Sequence, residues 1–252
     1  MPYVPWRKDF LRMSKWPKQL PLLTKEQKEI HDDFMKYWHE KILPNRYQII
    51  EQFNHGFPVK NCREGGRVLE IGAGVGEHIS YENLARTEYY ALEMRQEMAQ
   101  LIRERFPSVN VVVGDCQKSI NFQDDFFDKV LAIHVLEHLP NLPSALKEIH
   151  RVLKPNGEFC VVIPCEGGLA HRSARNISVK PIFQKRYGIS HELYTKCEHV
   201  NTAKEVIEEL KIYFKTDKSS FFPLKIPLIS INLAIGMVLK PQQKDYTKQL
   251  HL

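Results

Sequence analysis

"VLEIGAGVGEH", residues 68–78, is an apolar run that breaks into three glycines at alternate positions, Gly72, Gly74 and Gly76. A β-rich run that ends in such a loop predicts a strand followed by a tight turn, where the missing side chains let a ligand approach the backbone beside the next helix. Further along, β-rich runs alternate with helical stretches: "EYYALE" at 88–93, "NVVVGD" at 110–115, "DKVLAI" at 128–133 and "EFCVVIP" at 158–164. Between them "MRQEMAQLIRERF" and "PSALKEIHRVL" read as helices, the second opening with Pro143 in its first turn. Strands separated by helices imply right-handed crossovers and a parallel sheet covered on both faces, an α/β fold.

The glycine loop also carries chemical information. Glu93 ends the second strand, where a carboxylate can accept hydrogen bonds from both ribose hydroxyls of a nucleoside-containing cofactor. A dinucleotide site would place an acid there too, but its fingerprint requires a small residue at position 77, and this chain has Glu77, which would repel a pyrophosphate. Glu70, just before the loop, adds further negative charge and suits a cofactor with a cationic centre and an amino group.

"E-x-G-x-G-x-G" at 70–76, the acid at 93, "GDC" at 114–116, "FDKVLAIHVLEHLPN" at 127–141 and "RVLKPNGEF" at 151–159 together resemble class I S-adenosylmethionine-dependent methyltransferases of the small-molecule, type 11-like branch. The resemblance covers about residues 65 to 165. It implies a Rossmann-like seven-stranded sheet in the order 3-2-1-4-5-7-6, with strand 7 antiparallel and helices on both faces. It implies S-adenosylmethionine as cofactor and S-adenosylhomocysteine as product. Carried over to these positions, Gly72, Gly74 and Gly76 would line the methionine part, Glu70 would support its amino end and Glu93 would hold the ribose. Asp115 would bond the adenine amino group, and Cys116 would lie against the ring through a neighbouring backbone amide.

His134, Glu137 and His138 stand in H-x-x-E-H spacing, which on a helix can chelate zinc. Here "DKVLAI" reads as a strand and the next helix begins near Pro143, so the three residues fall in a strand-to-helix crossing and the protease reading fails. Three alternatives stay open. The residues organise the turn, or His134 and His138 act as catalytic bases with His134 lining the transferred methyl, or a metal is held as in O-methyltransferases with E-x-x-E-H and a distant histidine. In this chain His134 replaces the first glutamate of that pattern, so no metal is expected; His199 would be the distant ligand.

The sheet is flanked by less regular segments. Residues 1–64 read as an irregular proline-rich arm to about residue 23 followed by two cap helices, one from the capping-box pair Thr24 and Gln27 to Pro44 and one over "RYQIIEQF" at 46–53. Residues 65–252 form the cofactor-binding domain, interrupted at 165–200 by a long basic and aromatic loop-like insert. Within it His171, Arg172, Arg175, Arg186 and Tyr187 are candidate substrate-binding residues, suited to phosphate or sugar hydroxyls and to stacking. Thr202 and Glu205 begin a final helix, and two strands near 213–222 and 231–239 close the sheet.

The net charge of +6 is spread along the chain, which suits an anionic small acceptor better than a nucleic acid. Five cysteines form no C-x-x-C pair, and the N-terminus lacks a signal-like apolar run, so a cytoplasmic protein is expected. The apolar stretch 221–239 has the length of a membrane span but contains Pro223, Lys225, Pro227 and Asn232, so no integral span is expected. The insert and "FFPLKIPLISINLAIG" also resemble bacterial methyltransferases encoded among surface-glycan and sugar-modification enzymes. The favoured reaction is methyl transfer to an O or N atom of a sugar, nucleotide sugar or similar polar molecule. A metal-assisted RNA 2'-O-methyltransferase and a non-catalytic cofactor-binding module are the alternatives.

Overall fold

The computed structural model describes residues 15–43 and 47–243, so the first part of the arm, Pro44 and Arg46 lie outside the described residues. Seven strands form one sheet: β1 (Gly66–Ile71), β2 (Thr87–Glu93), β3 (Asn110–Val113), β4 (Phe127–Ile133), β5 (Leu153–Pro164), β6 (Phe214–Phe222) and β7 (Ala234–Pro241). Their order is β3-β2-β1-β4-β5-β7-β6. The first five pair in parallel, while β7 runs antiparallel to both β5 and β6, as expected of a Rossmann-like methyltransferase sheet.

Among the helices, α1 spans Lys25–Tyr37, α2 Gln48–Asn61, α3 Gln96–Arg105, α4 Leu142–Val152, α5 Leu169–Ile177, α6 Val179–Tyr187, α7 Glu192–Glu198 and α8 Ala203–Tyr213. Apolar periodicity decides the layers. In α4, Leu142, Ala145, Leu146, Ile149 and Val152 share one stripe and are buried together with Ala203, Val206 and Leu210 of α8 on one face of the sheet. Phe57 of α2 and Ile102 of α3 belong to the core on the opposite face. There α2 lies so close to β7 that a Cβ on Gly236 would come within 2.5 Å of the Phe57 ring.

The expected cap helices form with two differences. The Thr24–Gln27 capping box starts α1, which ends at Tyr37 in a π-helical turn over Trp38–Ile42. The second helix runs on to Asn61, well past Phe53, because Phe57 and Pro58 are drawn into the core and supply the burial that local propensity lacks.

The larger correction concerns the 165–200 insert, expected as a loop. It holds α5, α6 and α7. Phe183 and Tyr194 pack with Phe34 and Ile42 from the N-terminal region into a separate aromatic cluster. Two sequence segments that each lack a core of their own thus bury one another.

Candidate functional site

The carboxyl ends of β1, β2 and β4 meet where the sheet order reverses, the position at which open α/β sheets bind ligands. After β1 the chain turns through Gly72, Gly74 and Gly76, all at positive φ. The helix expected next is only a single 3-10 turn, His78–Tyr81. Added Cβ atoms at Gly72 and Gly76 would strike Val135 at 2.7 Å and Phe106 at 2.9 Å, so both glycines also serve close packing. At Gly74 an added Cβ would meet only the Glu77 carboxylate at 3.4 Å, which leaves the middle of the loop open to a ligand.

The acids around this loop fit a cationic nucleoside cofactor. Glu70 is buried and accepts a hydrogen bond from the Tyr89 hydroxyl at 2.9 Å. Burial pushes its carboxyl up to about 8, and the charges of Glu77, Glu82 and Glu93 add to the effect. An ammonium brought beside Glu70 would relieve that penalty. Glu93 accepts from Gly74 N at 2.9 Å, from Arg95 N at 2.9 Å and from Arg95 Nε at 3.0 Å. Three of about four acceptor positions on this carboxylate are thus filled, and a grip on both ribose hydroxyls requires Arg95 to move aside. Asp115 closes its own turn by accepting from the backbone and side-chain amides of Gln117. Cys116 is buried, and that burial lifts its thiol to about 12, which keeps it an uncharged packing group.

At the end of β4, His134 takes a left-handed backbone, φ 53°, and its N–H donates to Val162 O at 2.8 Å. A non-glycine residue in this region carries strain of about 1–3 kcal/mol. The turn brings His134 Nδ1 to 3.1 Å from Glu137 Oε1, with His138 Nε2 at 3.8 Å from the same oxygen. Burial alone would raise the Glu137 carboxyl, yet the His134 hydrogen bond and the charges of His138 and His199 hold it at about 2. His134 Nε2 is buried without a partner, the one atom of this ring left to meet an acceptor.

The structure extends this triplet into a larger network that H-x-x-E-H spacing did not disclose. Val200 N and Asn201 N both donate to Glu137 O at 3.0 Å, and Asn201 Nδ2 reaches Leu136 O and Leu139 O at 2.8 Å. This clamp sets the His199 ring 5.1 Å from that of His138. Glu166, two residues past the end of β5, joins His199 Nδ1 at 2.7 Å, His171 Nδ1 at 3.4 Å and Arg175 at 3.0 Å. Burial disfavours the Glu166 anion, but the His199 hydrogen bond and neighbouring cations hold its carboxyl at about 2. Burial lowers His171 to about 4 and also depresses His138, whereas His199, despite burial, is raised by its bond to Glu166. Of this trio, His199 alone is shifted toward its charged form. The groups pair along the network; among the described residues no set of three or more His, Cys, Asp or Glu is arranged to hold a metal.

Of the candidate substrate residues, His171 and Arg175 join this network, and Arg172 and Arg175 line a cavity of about 290 Å³ with Lys180, Lys196 and Glu192. Arg186 and Tyr187 do not come to it. Both bond the Asp33 carboxylate, and Arg186 stacks on Tyr37, so they lock α6 to α1. Sequence reading missed Glu166, Glu198 and Asn201. The signal for Glu166 was its place just beyond a parallel strand; Glu198, which bonds His31 at 2.5 Å, and Asn201 had none.

Residues 69–161 match the family described as "Methyltransferase domain". The chain is 36% identical over 106 residues to the sterol 4-C-methyltransferase strm-1 of Caenorhabditis elegans, covering 40% of this chain and 28% of that protein. It is 33% identical over 153 residues to the fatty-acid O-methyltransferase of Mycolicibacterium smegmatis, covering 54% of each. The chain thus spans between about a quarter and a half of the length of these curated relatives. In fold it is similar to the PH0226 protein of Pyrococcus horikoshii, with a TM-score of 0.61, 21% identity, and coverage of 82% of this chain and 99% of that one.

Proposed function

We propose that the protein transfers a methyl group from S-adenosylmethionine to an oxygen or nitrogen of a small acceptor. The observation that carries this reading is the open glycine loop at Gly74, set among the acids Glu70, Glu93 and Asp115 at the strand ends. When bound, the cofactor supplies an electrophilic methyl on a sulfonium, so the protein's own residues need only orient the acceptor and accept its proton. Glu70 would hold the amino end, Glu93 the ribose and Asp115 the adenine.

His134 would take the proton. Glu137 holds its Nδ1 side, and Nε2, which has no protein partner, would meet the acceptor. His138, with Nδ1 2.6 Å from Glu198 O, would position the turn beneath it. The acceptor favoured here is a sugar or nucleotide sugar, supported by the cationic cavity lined by Arg172, Arg175, Lys180 and Lys196. An apolar acceptor is a second reading, supported by relatives whose names specify sterol and fatty-acid substrates.

Calorimetric titration with S-adenosylmethionine and S-adenosylhomocysteine tests the reading. Micromolar binding, weakened at least tenfold by Glu93→Ala, is the expected result. Absence of binding by the folded protein would overturn it.

A further inference from the structure

The helix α5 and the loop joining β6 to β7 form an exposed apolar surface with basic borders. In α5, Leu169, Ser173 and Ile177 share the exposed side with Arg172 and Asn176 at its border, while Ala170, His171, Ala174 and Arg175 are half-buried, His171 and Arg175 beside Glu166. No residue of this helix is buried; Leu169 is 66% exposed and Ile177 80%. The loop presents Leu224 at 52% and Leu228 at 55%, with Ile226 and Ile231 also exposed. The two pieces touch: α5 packs against the Ile229–Ile231 turn, and a Cβ on Gly168 would come within 2.5 Å of Ile229 O.

The loop is held in shape from within. Asn232 is fully buried; its Nδ2 donates to Ile226 O and Leu228 O, and its Oδ1 accepts from Leu224 N. Its apolar side chains are therefore presented by a braced backbone, which reduces the entropy lost when they are buried against a partner.

Charge selects the partner. Gly167–Ser190 and 218–240 contain no acidic residue. Arg175, Lys180 and Arg186 are paired with Glu166, Glu192 and Asp33, so the positive charge offered outward is that of the exposed Arg172 on α5, Lys185 on α6 and Lys225 in the loop. Exposed apolar side chains on a helix and an adjoining loop, bordered by cations such as Arg172 and Lys225, form the pattern that lies in the interface of an anionic bilayer. We propose that α5 and the 223–231 loop dock this protein on an anionic lipid surface. No helix among the described residues is long and apolar enough to cross a membrane, so the contact is one of lying on the surface. Pro164 pairs with Ala234 and Cys165 N donates to Leu233 O, so the docking face borders the sheet edge that carries Glu166. An acceptor would then be taken from, or returned to, the lipid surface. The inference does not depend on the transfer reaction.

The test is sedimentation of the full chain with phosphatidylglycerol-containing vesicles. The Leu224→Asp/Leu228→Asp and Leu169→Asp/Ile177→Asp variants are run beside it, with their folding checked by thermal melting. The wild type is expected to pellet with the vesicles, and each pair, which removes two exposed apolar anchors, to weaken partition by at least about tenfold. Three results would overturn the proposal: a wild type that stays in the supernatant, variants that pellet as the wild type does, or a wild-type dimer by light scattering that the variants convert to monomer. The last would assign the face to a second copy. Binding of S-adenosylmethionine by the same variants reports separately on the cofactor site.

Discussion

Replacing Glu70 by glutamine isolates the electrostatic cost built into the glycine-loop site. The folded protein holds the Glu70 proton up to about pH 8, chiefly because the carboxyl is buried, whereas the unfolded chain releases it near the usual 4.5. Between those values the folded state binds more protons than the unfolded one, so this residue's contribution to stability is intact below about pH 4.5 and is lost as pH rises through 8. At about 1.4 kcal/mol per tenfold change in proton affinity, the full gap is worth about 5 kcal/mol, and local relaxation brings the expected figure to about 2–5 kcal/mol. Glutamine keeps an oxygen for the Tyr89 hydroxyl and carries no charge at any pH. Urea unfolding of wild type and Glu70→Gln at pH 5 and pH 8 measures the effect, because the difference between the proteins cancels every group they share. The variant should gain about 2–3.5 kcal/mol on the wild type between the two pH values, because at pH 5 the unfolded carboxyl is already mostly ionised and at pH 8 the folded one is only half ionised. An unchanged difference would refute the claim that Glu70 is buried as the neutral acid.

His134→Ala should lower turnover far more than affinity for S-adenosylmethionine; equal losses in kinetics and calorimetry would remove His134 from the chemistry. Lys129→Ala should destabilise by about 3–5 kcal/mol in urea unfolding, because Lys129 Nζ lies 2.6 Å from Glu82 in a buried pair and its loss strands that carboxylate. Lys129→Ala combined with Glu82→Gln should recover part of the loss. Glu166→Gln should cost about 1–3 kcal/mol at pH 7. The folded carboxyl sits at about 2 against 4.5 unfolded, so its contribution is present above pH 4.5 and fades as pH falls toward 2. Thermal melts across that range should converge at the acid end.

The sheet and the turn of the glycine loop were legible because their signals are local. An apolar run ending in glycines, an acid at the close of the next strand and a capping box each act over a few residues, and the strands they bound form where expected. β2 and β3 are joined by α3 and β4 and β5 by α4, and these helical crossovers return the chain to pair in parallel. The acceptor side was not legible in the same way. The helices of the 165–200 insert acquire a core only by packing against α1, and Arg186 and Tyr187, which read as substrate ligands, are taken up in holding that contact. His134, Glu137 and His138 form a motif in one dimension, but the shifts at Glu137 and His138 depend in part on Glu198 and His199, which arrive at the end of α7, 60 to 62 residues away. Sequence alone determines what the backbone does over a turn or a strand, since propensity and periodicity are short-ranged. Which charges share a buried space, and so which histidine is shifted toward its charged form, is decided by tertiary packing, because desolvation and Coulomb attraction depend on distance in space.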